Sequence, residues 1–188
     1  KWINQIRETC DPHLHWRHQW PSISTQLVVG AAGETDHEIL KTSQYLFKIL
    51  KLSRVYYQPF SPIEGTPFEN LPAEVPVRTL RLYQASFLVR DYGYSFEEMA
   101  FNHQGNLDYQ RDPKKEWADR NLKNKPLEIN QASREELLRV PGIGLQTVQK
   151  IIKVRKTTKI KNEMDLKNLG LSQKRCGEYM LLDGKRIG

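Results

Sequence analysis

A chain of 188 residues with 29 Lys and Arg, 22 Asp and Glu and a net charge of +7 can fold as one domain with a sizeable core or as two small ones. No apolar run approaches the ~20 residues that a membrane-spanning helix needs, so a soluble protein of the cytoplasm is expected and a membrane partner is not. Cys10 and Cys176 make no disulfide framework. The charge is lopsided, with 13 Lys and Arg against 7 Asp and Glu from Leu127 onward and 16 against 15 before it, so the last third is expected to meet a polyanion.

The chain opens on Lys1-Trp2, with neither Met nor a signal-peptide pattern, as a piece of a longer protein would. "CDPHLHWRH" gathers Cys10, His13, His15 and His18, but their spacing matches no common structural zinc site. No metal is assigned there; solvated histidines beside buried Trp16 and Trp20 are expected instead. "STQLVVGAAGETDHEILKTSQYLFKIL" then predicts a short strand, Leu27 to Val29, a Gly-rich loop and a helix from about Asp36 to Leu50. Thr35-x-x-Glu38 is a capping box, in which hydroxyl and carboxylate each accept the other residue's backbone N–H, and Glu34, Asp36 and His37 fall in the same cap. Ile39, Leu40, Leu46, Phe47 and Leu50, with Ser43 between them, share one face. A second strand runs from Val55 to Pro59, with Tyr56 and Tyr57 read as packing residues. After a Pro/Gly-rich loop, "VPVRTLRLYQASFLVRDYG" predicts a helix whose apolar face is Leu80, Tyr83, Gln84, Phe87 and Leu88, stopped by Gly93. Strand, helix, strand, helix is the order of a parallel α/β unit, assigned to 1–105. Residues 106–126 form a charged connector with a short helix, anchored by Trp117.

Residues 127–188 read as two helical hairpins. Ser133 and Glu136 form a capping box before a helix that ends near Val140. Pro141 cannot continue that helix, and Gly142 and Gly144 permit a tight turn with positive φ. A second helix from about Leu145 to Arg155 carries Val148, Ile151 and Ile152 on its apolar face. Backbone N–H groups left free at the start of that helix suit a phosphate oxygen, with Lys150, Lys153, Arg155 and Lys156 close by. A degenerate copy follows 28 residues later. In it Leu166, Lys167, Gly170 and Leu171 answer to Leu138, Arg139, Gly142 and Ile143, while Leu169 and Ser172 replace Pro141 and Gly144. "LEINQASREELLRVPGIG" and this repeat resemble the helix-hairpin-helix DNA-binding motif. The resemblance implies an all-α tandem domain that grips double-stranded DNA by its phosphate backbone, without base readout. The DNA-contacting residues so implied are Pro141, Gly142, Ile143, Gly144, Gln146, Thr147, Lys150, Lys153, Arg155, Gly170, Ser172, Lys174 and Arg175. Ser172 is expected to cap its own helix.

"VVGAAGETDHEI" and "PFSPIEGTPFE" resemble the late strand-loop-helix units of radical S-adenosylmethionine (radical SAM) barrels. With "RLYQASFLVRDYGY", "RDPKKEWA" and the hairpins behind them, the order is similar to the DNA modification/repair subgroup of that family, from about Ser24 to about Met180. The resemblance implies the C-terminal part of a parallel (β/α) barrel, and for a complete protein S-adenosylmethionine and a 4Fe–4S cluster. Val29, Gly30 and Tyr57 take the family positions nearest the cofactor. The Cys-x3-Cys-x2-Cys loop that holds the cluster is missing, as is the N-terminal half of the barrel, and "HWRHQWPSIS" departs from the subgroup's pattern. This chain alone is therefore expected to bind neither cofactor fully, and its catalytic residues are unassigned.

Three functions are compatible with these features. The first is the DNA-binding C-terminal portion of a DNA modification/repair radical SAM protein, meeting the other half of its barrel or a DNA-repair protein. The second is a nonenzymatic helix-hairpin-helix module for DNA or protein contact. The third, a helix-hairpin-helix DNA glycosylase, fits least. Asp165 stands about twenty residues past the hairpin, where such enzymes carry a catalytic Asp, but it lies in "NEMDLKN", and Leu145 and Gln146 occupy the place of a catalytic Lys.

Overall fold

The computed structural model describes residues 2–187, without the side chains of Arg17 and His18. Helix α1 (Trp2–Thr9) and a 3-10 turn (His15–Gln19) precede a parallel β-α-β-α unit. That unit comprises β1 (Ser24–Val29), α2 (Asp36–Lys48), β2 (Arg54–Pro59) and α3 (Pro76–Asp91). β1 and β2 pair in parallel with Leu27 opposite Tyr57. Alternation along each strand sends Val29, Val55 and Tyr57 under α2 and α3, and leaves Gln26, Val28, Tyr56 and Gln58 exposed on the other face. Among the described residues no further strand joins this pair, so the parallel unit stops short of a barrel. No helix among them is long and apolar enough to cross a membrane.

The capping box of α2 is present in both directions, with Thr35 Oγ1 accepting from Glu38 N–H and the Glu38 carboxylate accepting from Thr35 N–H. The α3 face differs from the expected one. Leu80 and Phe87 are exposed, whereas Thr79, Leu82, Ala85, Ser86 and Val89 are buried. The buried hydroxyls make this possible by bonding locally, Thr79 to the Pro76 carbonyl at 2.8 Å and Ser86 to the Tyr83 carbonyl at 2.9 Å. Trp16 is also exposed rather than buried, and packs edge-on against Trp20.

The loop after β1 is fixed by an ionic cluster. Asp36 is wholly buried and pairs with Arg78 of α3, Oδ1 to Nε at 2.7 Å. Its second oxygen accepts Leu107 N–H at 2.9 Å. The Glu34 carboxylate accepts the N–H groups of Gly30 and Ala32. Asp36 is thus a core residue that ties the start of α2 to the start of α3 and to the segment at Leu107, a larger role than the helix cap its sequence position suggests.

Helix α4 (Pro113–Asn121) leads into the C-terminal unit: α5 (Arg134–Arg139), α6 (Leu145–Arg155), α7 (Glu163–Asn168) and α8 (Gln173–Cys176). This unit is not all-α. β3 (Leu127–Glu128) pairs in parallel with β4 (Met180–Leu182), which turns back onto β5 (Lys185–Arg186). α8 ends after one turn and a 3-10 turn follows it. Asp183-Gly184, both at positive φ, then closes a two-residue β-hairpin. One apolar core runs from Val29 to Leu107 and a second from Ala118 to Ile187; Tyr92 and Trp117 pack against both.

Candidate nucleic-acid interface

In the first hairpin, Ser133 Oγ accepts Glu136 N–H at 3.1 Å and the Glu136 carboxylate accepts Ser133 N–H at 2.7 Å. These bonds hold the exposed Glu136 carboxyl below the usual range. Val140 leaves the helix in an extended conformation, and Pro141 and Ile143 are buried beneath the turn. Gly142 has φ +82°, as expected. Gly144 does not have positive φ: at −108° and ψ 178° it is the extended N-cap of α6. A Cβ on Gly142 would come within 2.9 Å of Arg175 Cβ, so this glycine is also where the two hairpins touch. Gly170 has φ +78°, repeating Gly142 in the second hairpin.

The N–H groups of Gly144, Leu145, Gln146 and Thr147 open α6 with no protein acceptor among the described residues. Gln146, Lys150 and Lys153 are exposed on the same helix, and Thr147 is half-buried. Lys150, Lys153, Lys174 and Arg175 have no carboxylate within ion-pair distance among the described residues. Arg155 differs: half-buried, it donates to the Ala132 carbonyl at 2.6 Å and serves the fold. Ser172 is exposed at the start of α8 and makes no side-chain cap, contrary to expectation. Asp165 is occupied in capping α7, its Oδ2 accepting Lys161 N–H at 2.9 Å. That leaves no geometric case for a glycosylase carboxylate.

Two residues with no local sequence signal join the hairpin to the α/β unit. The Arg139 guanidinium meets the Glu98 carboxylate and lies 4.4 Å from the Tyr94 ring centroid and 4.7 Å from that of Trp117. Lys114 reaches from α4 to donate to the Ile143 carbonyl at 2.5 Å, and its ammonium sits 4.7 Å from the Tyr92 ring centroid. In a trans peptide the N–H points opposite to the C=O, so this bond also fixes the direction of Gly144 N–H.

Burial pushes the Lys114 ammonium down to about 8, with Asp112 opposing the shift. Lys174 and Arg175 of the second hairpin line the same cleft. Because the folded value lies below that of the unfolded chain, the burial cost is fully present below about 8 and is relieved as pH rises from there into the ordinary lysine range. The stability of the parent relative to Lys114→Met should therefore rise between pH 7.5 and 10, measured by urea unfolding of both proteins. A flat or falling difference means that the amine is solvated.

The positions expected nearest a cofactor are placed mostly in packing. The Val29 and Tyr57 side chains lie in the core, with Tyr57 Oη donating to Ser43 Oγ at 2.8 Å. Gly30 has φ +95°, and a Cβ there would strike the Glu74 carboxylate. The side chains left open on the strands are Ser24, Gln26, Val28, Arg54, Tyr56 and Gln58. Among the described residues no three His, Cys, Asp or Glu side chains gather to hold a metal ion; His18 lies outside them. Cys10 is half-buried near the end of α1, and Cys176 is buried in α8 with its thiol pushed up by burial. Two cysteines cannot supply the three thiolates of a 4Fe–4S site, so the chain's own donors do not fit that cluster.

No protein-family model matches the chain, and no solved structure matches it at significance. Half of the chain, 99 residues, is 34% identical to tRNA-2-methylthio-N(6)-dimethylallyladenosine synthase of Ehrlichia canis (strain Jake). The match spans 21% of that protein's length. It supports a distant relation to radical SAM enzymes and nothing finer.

Proposed function

We propose that this chain is the nucleic-acid-binding C-terminal portion of a radical SAM protein of the DNA modification/repair kind, and that its paired hairpins grip the phosphate backbone. The observation that carries this reading is the opening of α6. Among the described residues, four N–H groups without acceptors stand at a helix N-terminus, beside exposed lysines that have no carboxylate partner there. Helix dipole and free donors together favour a phosphate oxygen. S-adenosylmethionine and the cluster belong, on this reading, to the complete protein, whose remaining barrel strands would pair with the open edges of β1 and β2. The likeness to the E. canis synthase supports the radical SAM part of the proposal.

The test is a duplex-DNA titration with the whole chain, because Arg139 and Lys114 make the hairpins and the α/β unit one packed body. Affinity should be independent of sequence and fall steeply with salt, as released counterions require. Lys150→Ala should lower the slope of log affinity against log salt by about one unit. Binding that is absent at low salt, or insensitive to salt, overturns the proposal. The name of the relative refers to tRNA, so competition by a folded RNA belongs in the same titration; stronger binding to RNA would replace DNA as the partner.

A further inference from the structure

A cleft of about 780 Å³ lies where α3, α4 and the two hairpins meet. Its lining combines two chemistries. Lys114, Lys115, Lys174 and Arg175 bring positive charge, while Phe87, Tyr92 and Pro141 bring apolar and aromatic surface. Phe87 is 47% exposed, so its ring is open to a ligand in the cleft. The Arg90 guanidinium lies 4.7 Å from its ring centroid and steadies it. Two carboxylates also line the cleft, and Asp112 acts on the Lys114 ammonium. Asp112 accepts the Lys114 and Lys115 backbone N–H groups at 3.0 Å, and Glu178 lies 3.7 Å from Lys123. None of the four cations pairs with a carboxylate among the described residues.

We infer that this cleft takes one unstacked nucleotide of a nucleic-acid strand, its base against Phe87 and its phosphates among Lys115, Lys174 and Arg175. A volume of this size is that of a small-molecule site, whereas a duplex about 20 Å across is convex and cannot enter it. Aromatic surface among unpaired cations is the composition that binds single strands, because every base has a face to stack and every phosphate a charge to neutralise. Gly142, two residues before the first of the α6 donors, lines the cleft. A strand lying on those donors would therefore run close to the cleft. The inference rests on the nucleic-acid reading above for the nature of the polyanion, and it adds that the protein holds a base out of its helix.

The experiment is a fluorescence-anisotropy titration of the whole chain with a labelled single-stranded tetranucleotide, run beside the perfect duplex. Phe87→Ala, a change at an exposed ring, should weaken tetranucleotide binding about five- to tenfold and leave duplex affinity unchanged. Arg175→Ala should weaken both. The proposal falls if the tetranucleotide does not bind, if Phe87→Ala binds it as tightly as the parent, or if an oligo-glutamate peptide displaces it as well as unlabelled oligonucleotide does. Tetranucleotide binding that depends on Phe87, without any duplex binding, would keep the cleft and remove the duplex reading.

Discussion

Replacing Asp36 by alanine should cost about 3–5 kcal/mol of folding stability, the range for removing one partner of a buried ion pair. The Arg78 guanidinium would keep Glu74 and the Glu34 carbonyl, but it would lose its closest buried counter-charge, and Leu107 N–H would lose its acceptor. For a chain of this length the loss corresponds to a fall of roughly 6–20 °C in Tm, read by circular dichroism. Asp36→Asn keeps an acceptor for Leu107 N–H and should fall between alanine and the parent. Asp36→Ala combined with Arg78→Met should recover part of the loss, since no charge is then left buried alone. A single-variant loss below about 1 kcal/mol would show that Glu74 compensates.

Gly142→Val should damage both folding and binding. A β-branched residue at φ +82° carries about 1–3 kcal/mol of backbone strain. Its Cβ would also press on the stem of Arg175, the part of that side chain least able to move. The turn must shift, and both the mating of the hairpins and the aim of the α6 donors shift with it. Duplex affinity should fall at least tenfold, and unfolding of the C-terminal unit should come at lower urea. Gly144→Ala is the control. Its extended backbone suits any residue, and an added Cβ meets only the Tyr92 hydroxyl at 3.4 Å. It should cost under about 1 kcal/mol. Equal behaviour of the two variants would mean that the positive φ of Gly142 is not what shapes the turn.

Local signals in the sequence were reliable where the physics is local. The capping boxes at Thr35 and Ser133 and the positive φ at Gly142 follow from neighbours a few residues apart. The parallel pairing of β1 with β2, whose partners lie 30 residues apart, follows instead from the strand-helix-strand order, and Gly144 missed its expected positive φ. The α3 face did not follow from its neighbours. Leu80 and Phe87 look like core residues by hydrophobicity, but the buried side is marked by Thr79 and Ser86, whose hydroxyls bond to their own helix, and by Arg78, whose charge is met 42 residues away in sequence. The β4–β5 hairpin has a readable Asp-Gly turn, but it lies within the stretch that the helical repeat assigns to an all-α domain. Lys114 and Arg139 were illegible for another reason. Nothing beside them in sequence distinguishes them from other basic residues, and their roles come from Tyr92, Ile143, Tyr94, Glu98 and Trp117, which only the fold brings near.

The Arg139 joint has a mechanical consequence. A guanidinium held by two aromatic rings and a carboxylate is a clamp rather than a tether, and Trp117 packs against both apolar cores at once. The hairpins therefore do not swing on a flexible strap over a range of distances from β1 and β2. They are held against the α/β unit at the contacts of Arg139 and Lys114, like the jaw of a caliper locked at one opening. A strand gripped at α6 would present the same count of nucleotides to the sheet each time, so the reach of the protein along its partner would be set by geometry and not by the length of a linker.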